Sequence, residues 1–151
     1  MSNLTPVIKS IQDIMRQDSG VDGDAQRISQ LTWLLFLKVF DALEEELELT
    51  RDHYQSPIPE AMRWRNWAAD PEGMTGEALL DFVDNQLFAT LKSLSADPVR
   101  NPRGYVVRGV FEDAYNYMKS GHLLRQVVNK LNGIDFNRQA ERHQFNDLYE
   151  K

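Results

Sequence analysis

The chain has 151 residues, of which 42% are apolar and 26% charged, the composition of one ordinary globular domain. It contains no cysteine, which excludes disulfide staples, thiolate-bound zinc and a thiol nucleophile, and suits a reducing cytoplasm. The formal net charge of −6 is unevenly spread: residues 1–97 hold eight Lys/Arg against seventeen Asp/Glu, whereas residues 98–142 hold eight against four. An acidic first half repels polyanions at long range, so any nucleic-acid contact belongs to the basic second half.

The N-terminus has no basic stretch followed by an apolar block, and so no signal-peptide pattern. The first predicted helix runs from Thr5 to Asp18, with Val7, Ile8, Ile11, Ile14 and Met15 at helical spacing. Ser19 to Gly23 breaks it, and Asp22 or Asp24 is placed to cap a second helix reaching Asp52. The first half of that helix contains the run LTWLLFLKVF (31–40), about half the length a membrane span needs, and it reads as a buried pillar. At 1.5 Å per residue the pillar is roughly 40 Å long. Its second half carries Glu44, Glu45, Glu46 and Glu48, which read as a solvated face.

Residues 54–74 hold Pro57, Pro59, Pro71 and Gly73, too many breakers for a long helix. Trp64 and Trp67 argue for an ordered loop whose indoles fold back on the helices or anchor a partner. A third helix starts near Thr75, with Leu79, Phe82, Val83, Leu87 and Leu91 in register. Asn101-Pro102-Arg103-Gly104 ends the next connection, and helices follow over 106–118 and 123–131, the latter closed by Gly133. A last helix begins at Arg138 and reaches Lys151 without a stop signal, so the natural polypeptide is expected to continue. The fold class expected is all-α, an irregular bundle of about five to six helices around a long, largely buried central helix.

Catalytic patterns are missing from this sequence. His53, His122 and His143 lack the paired spacing of a zinc site. There is no P-loop, no G-x-G-x-x-G and no G-x-S-x-G. Two features remain. Arg27, Lys38 and Asp41 lie among apolar residues of the pillar, where charges must reach solvent or form ion pairs. Arg100, Arg103, Arg108, Lys119, Arg125 and Lys130 punctuate a tyrosine-bearing segment and are candidates for DNA or partner contact.

The segments VDGDAQRISQLTWLLFLKVFD (21–41), PIPEAMRWRNWAADPEGMTG (57–76), NPRGYVVRGVFEDAYNYMKSG (101–121) and NGIDFNRQAERHQFNDLYE (132–150) resemble the N-terminal domain of type I restriction–modification methyltransferase subunits, the HsdM family. The resemblance is collinear over nearly the whole chain. It implies a helical domain (1–137), followed at 138–151 by the start of a helix leading to a catalytic domain. It further implies that the full subunit uses S-adenosylmethionine to methylate adenine N6. The implied partners are a specificity subunit, a second modification subunit, restriction subunits and double-stranded DNA. The glycine-rich methyl-donor motif and the Asn-Pro-Pro-Phe motif of the family are missing from these 151 residues, so no catalytic activity is expected of this chain alone.

Overall fold

The computed structural model of the chain describes residues 4–134, and every regular element among them is helical. Helix α1 (Leu4–Arg16) and the long α2 (Gly23–Thr50) come first. A 3₁₀ turn (Glu60–Met62) and the one-turn α3 (Trp64–Trp67) interrupt the proline-rich connection. Then follow α4 (Gly76–Asp81), a π-helical turn (Phe82–Leu87) and α5 (Phe88–Lys92), which form one continuous rod. Two further helices complete the bundle, α6 (Pro102–Asp113) and α7 (Gly121–Asn132). The expected helix from Arg138 lies outside the described residues.

The first half of α2 is the pillar its apolar run predicts. Trp33, Leu34, Leu35 and Leu37 are almost wholly buried, each worth roughly 1.5–3 kcal/mol of transfer free energy. Trp33 meets Phe88 of α5 edge-on at 4.9 Å, and Phe88 meets Phe111 of α6 at 5.0 Å, so one aromatic cluster ties three helices together. Helices α1 and α4 both pack on α7, while α5 packs on α6. The approach of α4 to α7 is very close: a Cβ on Gly121 would lie 1.8 Å from the Gly76 carbonyl oxygen, so only glycine fits there.

Three expectations need correction. The third helix is not uniformly α-helical: the Phe88 amide donates to the Val83 carbonyl five residues back, a π turn that rotates the two halves relative to each other. Asn101 does not end a connection but starts α6, its side chain accepting the Gly104 amide at 3.1 Å with Pro102 in the first turn. At its far end α6 stops at Asp113, and residues 114–120 are extended where a helix to Met118 was expected.

The glutamate run also differs from expectation at one position. Glu44 is fully buried, and its two carboxylate oxygens accept from the Tyr54 hydroxyl at 2.9 Å and the Ser56 hydroxyl at 2.8 Å. Tyr54 and Ser56 thereby pin the start of the proline-rich connection to α2.

Candidate partner and DNA interface

The extended segment Ala114–Ser120 owes its shape to buried polar side chains. The Tyr117 amide donates to Gln30 Oε1 at 2.8 Å, and the Met118 amide to Asn116 Oδ1 at 3.3 Å. The Lys119 amide donates to both oxygens of Asp18 at 2.9 and 3.0 Å, and the Ser120 amide donates to Asp18 Oδ2 at 2.9 Å. Four successive N–H groups thus find side-chain acceptors in place of the carbonyls a helix would offer. Gln30 Nε2 donates to Asn116 Oδ1 at 2.8 Å, and Asn116 Nδ2 donates to Asp84 at 2.9 Å on the π turn. Asp18, Gln30 and Asn116 are all buried, so the network is shielded and rigid.

That scaffold presents Tyr115, 56% exposed, with the Lys119 ammonium 5.9 Å from its ring. Two clefts flank Tyr115. One, of about 320 Å³, runs between α2 and the end of α6 and is lined by Thr32, Trp33, Val110 and Asp113. The other, of about 270 Å³, is bordered by Asp84, Lys92 and Lys119. A cation beside an exposed aromatic ring, on a backbone that cannot easily yield, can meet a phosphate or a partner's side chain.

The six candidate cations separate into two groups. Arg125 is buried, contrary to a role in surface contact. Its Nε donates to the Met74 carbonyl at 2.7 Å, its Nη1 to the carbonyls of Ala68 and Asp70 and to Asn129, and its Nη2 to the Trp67 carbonyl. Burial lowers its pKa from the ordinary arginine value, with Asp70 acting in the opposite direction. Arg125 therefore stitches the tryptophan loop to α7. Arg103 is half-buried: Nε donates to the Tyr54 hydroxyl at 2.9 Å, and the guanidinium lies 4.4 Å from the Phe40 ring centroid. Arg108 donates to the Leu94 carbonyl at 3.0 Å and sits 3.7 Å from Glu112. Arg100, Lys119 and Lys130 are exposed.

Trp64 and Trp67 are not available as partner anchors. They are 3% and 4% exposed, and their indole N–H groups donate to Asn132 at 2.8 Å and to the Met62 carbonyl at 3.1 Å. The pillar charges are engaged both within α2 and beyond it. Arg27 pairs with Asp24 one turn earlier, and Asp41 pairs with Arg65 of α3 at 2.9 Å; Lys38 is half-buried. Arg65 also reaches Glu48 at 2.8 Å; its pKa is raised, first by that bond and then by Asp41, against the opposing effect of burial.

Sequence reasoning missed Asp18, Gln30, Asn116 and Glu44, because each is a polar residue that resembles surface decoration until its partners are known. The signal nearest to hand was position: Gln30 directly precedes the apolar run of α2.

Comparison with known proteins agrees with this architecture. Residues 4–131 match the family described as the HsdM N-terminal domain. Over 149 residues the chain is 64% identical to the type I restriction enzyme EcoEI methylase subunit of Escherichia coli, covering 99% of this chain and 30% of that protein. A crystal structure of a modification subunit assigned to a type I restriction enzyme of Vibrio vulnificus YJ016 superposes with a TM-score of 0.86 at 40% identity, covering 97% of this chain and 34% of that one. A chain from a structure described as showing complex assembly and conformational transition of the type I R-M system gives a TM-score of 0.83 at 32% identity, covering 97% and 29%. The chain therefore spans about a third of the length of these relatives. It belongs to the HsdM N-terminal domain family, the helical N-terminal part of type I restriction–modification modification subunits.

Proposed function

We propose that the domain is the non-catalytic part of a DNA adenine N6-methyltransferase subunit that helps assemble the complex and clamp DNA. It meets a specificity subunit and a second modification subunit, with restriction subunits joining them. Once the complex is on DNA, it adds sequence-neutral phosphate contacts. The observation that carries this reading is the exposed Lys119–Tyr115 pair on its rigid segment. Phosphate contacts position a protein without reading bases, which suits a domain whose partner does the reading. S-adenosylmethionine belongs, in this proposal, to the part of the subunit that the E. coli relative carries beyond the 30% matched here. The 151 residues supply no glycine-rich turn to hold it, so no step of methyl transfer is assigned to them.

A second reading, a purely protein–protein module, draws support from the internal engagement of Arg103, Arg108 and Arg125. A photo-crosslinking amino acid in place of Tyr115, in the assembled enzyme on DNA, separates the two. The clamp reading expects adducts with DNA. Adducts with protein alone overturn it in favour of the module.

A further inference from the structure

The two clefts beside Tyr115 differ in charge. The larger is lined by Asp113 and by no lysine or arginine, so it repels a phosphate. The smaller is lined by Lys92, Lys119 and Asp84, with the buried Phe88 among its apolar lining. Lys92 comes from residues 1–97, where acids outnumber bases seventeen to eight and no nucleic-acid contact is expected.

Asp84, Phe88 and Lys92 follow one another at four-residue spacing along the rod made by the π turn and α5, and all three reach this cleft. Lys119 enters it from the extended segment 114–120. Both elements are pinned. Asn116 Nδ2 donates to Asp84 Oδ1 at 2.9 Å, and Arg108 ties the end of α5 to α6 through the Leu94 carbonyl at 3.0 Å. Each ammonium rests 5.9 Å from an aromatic centroid, Lys92 by Phe88 and Lys119 by Tyr115. Both lysines are exposed, and neither forms an ion pair with a described carboxylate, although Asp84 borders the same cleft. Two unneutralised ammoniums converging on one cleft repel each other, and an anion bound there relieves that repulsion.

We propose that one strand of DNA lies along the smaller cleft, with Lys92 and Lys119 each contacting a backbone phosphate and the exposed Tyr115 ring beside the strand. This rests on the clamp reading and deepens it: Lys92 becomes a contact residue, and the strand is assigned to the lysine side of Tyr115, away from Asp113. Asp84, the carboxylate lining this cleft, opposes the strand.

The test is the affinity of the assembled modification enzyme for duplex DNA across a range of sodium chloride concentrations. Lys92→Ala is expected to flatten the slope of log affinity against log salt by about 0.9, as Lys119→Ala does, and the two together by about 1.8. Lys92→Arg should keep the native slope, because the charge is retained. Lys9→Ala, an exposed lysine of α1 that lines neither cleft, is the control and should also keep it. Asp84→Asn preserves an acceptor for Asn116 and should tighten binding about twofold at low salt, a gain that misfolding does not produce. A Lys92→Ala slope equal to that of Lys9→Ala overturns the proposal, as does Asp84→Asn binding no tighter than native. If Lys119→Ala still flattens the slope in that case, the cleft falls and the clamp stands; native slopes in both lysine variants remove the clamp as well.

Discussion

Asp18, at the end of α1, receives the backbone amide of Lys119 on both carboxylate oxygens, joining residues 101 positions apart in sequence. The same carboxylate accepts the amides of Gly20 and Ser120. One buried side chain thus fixes the turn after α1, the end of the extended segment and the start of α7. Asp18→Ala leaves three amides without an acceptor and is expected to destabilise the fold by about 3 kcal/mol in urea denaturation. A loss below about 1 kcal/mol would mean that the segment is held by other contacts.

Arg125→Met keeps much of the side chain's volume but removes every donor to the carbonyls of Trp67, Ala68, Asp70 and Met74. The expected cost is roughly 3 kcal/mol, with a red shift of tryptophan fluorescence as the loop carrying Trp64 and Trp67 opens. A purely surface role for Arg125 predicts neither effect.

Tyr54 links Arg103 to the buried Glu44, and its pKa is raised above 10.0, first by burial and then by its hydrogen bond to Glu44. The folded state therefore holds the tyrosine proton more tightly than the unfolded chain does. The stability this contributes is fully present below pH 10 and lost as pH rises through the folded value. Alkaline unfolding of the native chain should be steeper above pH 10 than that of Tyr54→Phe. The variant should be less stable at neutral pH by about 1–2 kcal/mol, because Glu44 keeps only the Ser56 donor. Parallel alkaline profiles would remove Tyr54 from the account.

Gly109→Ala should stabilise the isolated chain by up to about 1 kcal/mol, since the new methyl group meets nothing and helix propensity improves. Thermal denaturation reads this directly. A lower melting temperature would show that the fold itself requires glycine at this position.

Much of the bundle was legible in the sequence because apolar periodicity reports burial. Leu31 to Phe40 fixed the pillar, and the two indoles in a proline-rich stretch announced an ordered loop. The end of α6 was not legible. Ala114 and Met118 continue the helical spacing of Val110 into a segment that is extended, since the segment's own Asn116 together with Gln30 and Asp18 outbid the helix for its amides, and the last two lie 87 to 102 positions away in sequence. Arg125 misled for a related reason: charge suggests exposure, yet its targets are backbone carbonyls 51 to 58 positions earlier, which have no residue signature. The cations closest to the sequence-based expectation are Arg100, Lys119 and Lys130, whose side chains remain exposed.

The most direct test of the central claim is the salt dependence of DNA binding by the assembled modification enzyme carrying Lys119→Ala and Lys130→Ala together. Each phosphate contact contributes about 0.9 to the slope of log affinity against log salt, so two lost contacts should flatten it by roughly 2. A slope equal to that of the native enzyme would contradict the clamp and leave the domain to protein assembly alone.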